Sequence, residues 1–288
     1  MSQRILITGG CGMLAMDLAA YYREKDCNVF APSRKELDVL KTSQIFNIVS
    51  EFRPNLIFHT AVYHVEPSEE NPEIAFNVNA LSTQKLAKAA QKINATFIYI
   101  STCGLFGDDI KPYSEDDNVV LKTEYAKSKY EGENLAVREC DRLFVVRPGW
   151  LFGGAFTHKR NFVYQRYLEA KDKNVLQSAN DKYGSPTYTI DLIRKMDELI
   201  NSRYYGTYHL ANEGSATRAD YVEKIVKTFD LSTNIERVDS SNFPRKADVP
   251  NCEILKNLNS ERLSFSKMPH WEESIERFIH EIRKDISL

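Results

Sequence analysis

The segment Thr8-Gly9-Gly10-Cys11-Gly12-Met13-Leu14-Ala15 constrains the fold more than any other stretch of the chain. It follows the apolar run Ile5-Leu6-Ile7 and leads into a helical pattern, so a strand, a glycine turn and a helix start follow one another directly. That succession builds an anion site. Gly9 supplies the unusual dihedrals of the turn, and Gly12 lets the backbone approach phosphates. The first helical amides then face the anion with the positive end of the helix dipole. Ala15 stands where a small third residue keeps helix and strand close. The reading is a site for a dinucleotide pyrophosphate, with a plain strand–helix turn as the bland alternative.

Alternation continues behind this turn. Strands are predicted at residues 4–8, 28–31, 55–60, 96–101 and 143–147, with amphipathic helices at 13–25, 42–52, 72–93 and 123–138. This spacing implies an α/β fold: a Rossmann-type doubly wound parallel sheet with helices on both faces and ligands beyond the carboxyl ends of its strands. The second half is less regular. Helices are expected at 161–171, 190–202, 218–229 and 271–284, short strands at 175–177 and 207–210, and a loop at 239–251. The organisation expected is a dinucleotide-binding domain over 1–150. Residues 151–288 then form mainly a smaller C-terminal substrate-binding lobe, with some segments returning to the first domain.

Composition narrows the function. A net charge of −2 and the lack of a basic stripe argue against a nucleic-acid polymer as partner. No apolar run approaches a membrane span and no signal peptide is read, so a cytoplasmic location away from membranes is expected. Five scattered cysteines without Cys-x-x-Cys spacing read as reduced thiols, and no metal site is expected.

The cofactor is read at the end of the second strand, where a carboxylate would bind an adenosine ribose and repel a 2′-phosphate. Here the chain runs Ala31-Pro32-Ser33-Arg34-Lys35. Ser33 can donate a hydrogen bond and Arg34 offers a planar fork for phosphate, which favours NADP(H) over NAD(H). A merely solvated turn is the alternative. Asp38-Val39 is placed to bracket the adenine edge.

Catalysis is read at Tyr125 and Lys129, four apart and so on one face of a helix. The chain holds three Tyr-x-x-x-Lys pairs, but Tyr21 with Lys25 and Tyr167 with Lys171 read as helix surface. Only Tyr125 and Lys129 follow a strand that ends in hydroxyls, Ile100-Ser101-Thr102, where a nicotinamide would lie. Carbonyl reduction needs a proton delivered to the oxygen. A lysine cation beside a tyrosine is expected to lower the phenol toward the working range, Thr102 to hold the oxygen, and Lys129 to grip the ribose.

With these residues in place, the chain resembles the extended short-chain dehydrogenase/reductases, and within them the dTDP-4-dehydrorhamnose reductase family. The likeness runs through TGGCGML, PEIAFNVNALSTQKLAKAA (72–90), STCGLFG (101–107), PYSEDD (112–117), YAKSKYEGE (125–133), RPGWLFG (147–153), YGSPTYTIDL (183–192), YGTYHLAN (205–212) and MPHWEESI (268–275). It covers nearly the whole chain. It implies reduction of the keto group of a nucleotide-linked 6-deoxy sugar by a nicotinamide cofactor, with Thr102, Tyr125 and Lys129 as catalytic residues. Gly12, Met13, Leu14, Ser33, Asp38, Val39, Ala61, Val62 and Tyr63, with Asn79 of the Val78-Asn79 pair, would serve the cofactor. Trp150 would pack on the sugar, and the 184–187 turn with Ser185, Pro186 and Thr187 would close the substrate side. A monomer or homodimer is expected.

The chain departs from the family at Cys103-Gly104, where Asp-Tyr is usual, and this leaves the particular sugar open. The 63–72 segment is also one residue short. The same departure removes the acid pair of 4,6-dehydratases. Two other readings stay open. An epimerase-reductase of the GDP-fucose synthase type would use Cys103 and His158, although Cys103 reads first as a small buried residue. A binding role like that of the regulatory subunit of methionine adenosyltransferase would need no turnover.

Overall fold

Unbroken apolar runs such as Ile5-Leu6-Ile7 and Phe97-Ile98-Tyr99 suit strands covered on both faces. The computed structural model describes residues 2–155, 158 and 161–286 and shows this arrangement. Six parallel strands run in the order Gly206–Leu210, Leu143–Pro148, Thr96–Ile100, Leu56–His59, Arg4–Thr8 and Asn28–Phe30. Alternate residues feed two cores. Ile5, Ile7, Phe58, Ile98 and Phe144 pack with Leu14, Leu18, Leu192 and Met196 on one face. Leu6, Ile57, Phe97, Tyr99 and Val145 pack with Ile45, Val49, Leu86 and Ala90 on the other. The winding reverses between Arg4–Thr8 and Leu56–His59, so a crevice opens beyond the carboxyl ends of these two strands.

Beyond residue 150 the chain forms a third core around Trp150, Phe152, Tyr188, Tyr221, Trp271 and Phe278. Three small sheets frame it. Trp150–Phe152 pairs with Pro186–Tyr188 and Val175–Ala179 with Asn234–Val238, while Tyr183–Gly184 lies between Ala216–Thr217 and Cys252–Glu253. No helix among the described residues is long and apolar enough to cross a membrane.

Two sequence expectations change. The single helix read over 72–93 divides into Pro72–Phe76, a π-helical turn Asn77–Leu81, and Ser82–Lys92. Such a bulge re-aims side chains, and its interior residue Asn79 is fully buried. Tyr167, read as helix surface, is 3% exposed because its helix Phe162–Asp172 turns that side onto Phe229 in the third core.

Helix Glu124–Glu139 is capped by Thr123, whose hydroxyl accepts from the Ala126 amide at 3.0 Å. Its midpoint lies unusually close to the π-helical turn. A Cβ on Gly132 would stand 2.4 Å from the Asn79 carbonyl oxygen and 2.5 Å from the Tyr99 hydroxyl. Gly132→Ala therefore must push the helix outward. We expect it to cost roughly 1–3 kcal/mol of stability, read as a lower denaturation midpoint, and to reduce activity with it.

Candidate active site

The glycine turn forms the floor of a cavity of about 1070 Å³ at the reversal point of the sheet. Gly9 has φ +69°, which a side chain would resist. Gly10 is tighter still: a Cβ there would lie 2.1 Å from the Ala31 carbonyl oxygen, and its amide donates to Pro32 at 3.0 Å. Helix Met13–Glu24 starts at Gly12 without a side-chain cap and with no acid in its first turn, so its leading amides are left for an anion in the cavity.

Gly9, Gly12, Met13, Leu14, Arg34, Asp38, Val39, Ala61, Val62, Tyr63, Thr102, Tyr125 and Lys129 all line this cavity. Arg34 is exposed at the rim, where a 2′-phosphate would meet its fork. Ser33 and Asn79 do not line it. The Ser33 amide and hydroxyl both donate to Glu36 at 2.8 Å, which shapes the turn. Asn79 acts from behind the wall. Its side-chain oxygen accepts from the Tyr63 amide at 2.8 Å, and its amide donates to the Tyr63 carbonyl at 2.9 Å and to the Ser128 hydroxyl at 2.9 Å. It thus ties the Ala61-Val62-Tyr63 wall to the helix that carries Tyr125.

Tyr125 and Lys129 project from the first turns of that helix toward the end of Thr96–Ile100. The Tyr125 phenol faces the Thr102 hydroxyl. Burial pushes the phenol above its ordinary range, the Thr102 hydroxyl pulls it back in part, and Cys103 and Glu253 push it further. The lowering expected from Lys129 is not found, because desolvation dominates. The Lys129 ammonium is instead held by the Ile100 carbonyl at 2.6 Å and stands 4.0 Å above the Tyr99 ring. Burial pulls it down to about 7, and Glu133 opposes that shift.

Trp150 and Cys103 do not line the cavity, and Trp150 is only 8% exposed. The Arg218 guanidinium covers its ring at 3.4 Å, and its indole nitrogen donates to Glu253 at 2.7 Å. Cys103 is buried with its thiol 3.5 Å from Glu253 and is pushed well above the ordinary thiol range by burial and by that carboxylate. Ser185, Pro186 and Thr187 are buried and lie outside the cavity. Ser185 accepts from the Trp150 amide at its carbonyl and from the Leu255 amide at its hydroxyl, and Thr187 donates to the Ser185 carbonyl. His158 does line the cavity, beside the Cys11 carbonyl in the glycine turn at 3.3 Å.

Several residues of the site were not singled out in the sequence. His59 bridges the Thr8 and Ser82 hydroxyls at 2.7 and 3.2 Å, and burial holds it down to about 3, so it stays neutral under the glycine turn. Glu133 pairs with Arg147 at 2.6 Å and accepts from Ser101, which steadies the strand end before Thr102. Only the Glu133 position, four after Lys129 on the same helix face, offered a signal for this.

Over residues 3–284 the chain matches the family described as RmlD substrate binding domain. It is 30% identical over 283 residues to a dTDP-4-dehydrorhamnose reductase of Mycolicibacterium smegmatis, covering 96% of this chain and 85% of that protein. It is 27% identical over 280 residues to the spore coat polysaccharide biosynthesis protein SpsK of Bacillus subtilis, covering 96% and 97%. It also superposes with a TM-score of 0.93 on the crystal structure of dTDP-4-dehydrorhamnose reductase from Bacillus anthracis in complex with NADP. That pair is 32% identical, with 98% and 100% of the two chains covered.

The depressed Lys129 gives a pH signature with a definite sign. Between about 7 and 10.5 the folded chain holds the amine neutral while the unfolded chain keeps its proton. The unfolded state then binds more protons, so the burial penalty of Lys129 shrinks as pH rises through this window. The stability difference between the parent and Lys129→Met should move in favour of the parent from pH 7 to 10.5, measured as denaturation midpoints. A flat difference would contradict the burial argument.

Proposed function

The chain belongs to the RmlD substrate binding domain family, and on that premise we propose that it reduces the keto group of a nucleotide-activated 6-deoxy sugar with NADPH. The observation that carries this reading is that Thr102, Tyr125 and Lys129 line one cavity together with the glycine turn. The uncapped helix start suits the pyrophosphate, and Arg34 suits a 2′-phosphate.

When bound, the nicotinamide supplies hydride to the keto carbon. The chain's own task is to place the oxygen and to deliver a proton. Thr102 and Tyr125 hold the oxygen between two hydroxyls. The raised phenol keeps its proton at neutral pH, as an acid in the reducing direction requires. As Tyr125 becomes phenolate, its negative charge favours the protonated form of Lys129 beside it, and the Ile100 carbonyl fixes where that cation sits. An epimerase-type proton transfer through Cys103 and His158 draws less support. The thiol is shifted upward against Glu253, and His158 stands at the glycine turn.

NADPH oxidation across a panel of nucleotide 4-keto-6-deoxy sugars tests the reading. Tyr125→Phe should lower kcat/KM roughly 10²- to 10⁴-fold while NADPH affinity stays near that of the parent. Full activity in this variant would remove Tyr125 as the acid. Arg34→Ala should weaken NADPH about 10-fold or more and leave NADH nearly unchanged. Equal losses would detach Arg34 from the 2′-phosphate.

A further inference from the structure

No carboxylate follows Thr102 in the sequence, yet one stands beside it in space. The strand Cys252–Glu253 runs parallel to Tyr183–Gly184 and delivers Glu253 to the side of the Thr102-Cys103-Gly104 turn. A Cβ built on Gly104 would lie 3.2 Å from Glu253 Oε1 and 3.5 Å from Thr102 Oγ1. The two oxygens therefore flank the same glycine, and a side chain at 104 would crowd the carboxylate, which would have to give by a few tenths of an ångström. Cys103 Sγ donates to Oε1 at 3.5 Å and Trp150 Nε1 to Oε2 at 2.7 Å, which fixes the group from two sides. The Arg218 guanidinium, stacked on Trp150, locks the indole that does the fixing. A carboxylate has about four acceptor sites. Two are used, and Glu253 remains partly exposed.

We propose that Glu253 is a specificity-determining residue, which accepts a hydrogen bond from the sugar hydroxyl on the carbon next to the keto carbon. This rests on the reductase reading above, in which Thr102 holds the keto oxygen. A carboxylate beside Thr102 then meets the neighbouring ring substituent. It prefers a hydroxyl donor there, because an analogue lacking the hydroxyl covers the remaining acceptor sites of the carboxylate without supplying a donor. Arg218 and Trp150 act as positioning residues for this carboxylate.

The test compares two substrates in one protein: a 4-keto sugar nucleotide with the adjacent hydroxyl, and its 3-deoxy analogue. E253Q should lower kcat/KM for the hydroxylated substrate about 10- to 100-fold, the size of a hydrogen bond to a charged group. Because Glu253 also acts on Tyr125, the deoxy substrate need not be untouched, but it should lose at least about 10-fold less than the hydroxylated one, and NADPH affinity should stay within about twofold. A double variant, E253A with C103D, puts a carboxylate back within reach of the same spot, given the 3.5 Å separation of the parent groups. It should recover preference for the hydroxylated substrate relative to E253A alone. Equal losses on both substrates would make Glu253 a structural prop and overturn the assignment, as would failure of C103D to restore any preference. A parent protein that turns over no member of the pair would overturn the reductase reading, and this assignment with it. Parent turnover with unselective E253Q losses would overturn only the role of Glu253.

Discussion

The site depends on how closely one helix can approach the sheet. Gly132 lets helix Glu124–Glu139 settle onto the Asn79 carbonyl and the Tyr99 hydroxyl, at a distance that excludes even a methyl group. That seating brings Lys129 over the Tyr99 ring and under the Ile100 carbonyl, and aims Tyr125 at Thr102. It also lowers Glu133 onto Arg147. The geometry of the candidate site is thus a consequence of backbone proximity, and the hydrogen bonds record it.

Proximity of this kind brings charges out of water. Lys129, Glu133 and Arg147 are all buried, and a buried charge is tolerated only with partners in good geometry. Glu133 has them: two bonds from Arg147, at 3.0 and 2.6 Å, and one from Ser101. Lys129 has a carbonyl and a ring face, which hold the ammonium in place but leave it easier to deprotonate. His59 solves the problem by staying neutral between two hydroxyls. The interior beneath the glycine turn and behind Thr102 is therefore polar, with its buried groups held by named partners.

The parts of this arrangement legible in sequence are the local ones. A strand followed by Gly9, Gly10 and Gly12, and a Tyr–Lys pair four apart after a strand ending in Ser101-Thr102, carry their geometry in a few consecutive residues. The parallel sheet followed from apolar runs spaced by helical patterns. Contacts between distant segments were not legible. Asn79 reads as one more helix residue until the π-helical turn aims it at Tyr63. Glu253 lies just past the polar 239–251 stretch with no motif around it, and only its strand's pairing with Tyr183–Gly184 brings it to Thr102. Gly132 reads as a flaw in a helix until the partner it touches is known. The expected effect of Lys129 on Tyr125 failed for a related reason, because spacing reveals neighbours but not how much water surrounds them.

The position of Gly206–Leu210 has a kinetic consequence. This strand pairs with Leu143–Pro148, although the whole stretch of chain through Trp150–Phe152, Val175–Ala179 and Pro186–Tyr188 lies between them. During synthesis, Leu143–Pro148 emerges first and forms the margin of a five-stranded sheet with its outer hydrogen-bonding groups unmatched. Such margins recruit other chains. It remains so until residue 210 has been made and the chain has returned across the lobe, a closure of high contact order and correspondingly slow. Pairing of the first five strands and completion of the sheet by Gly206–Leu210 are therefore successive events, and the interval between them is when this protein is most exposed to aggregation.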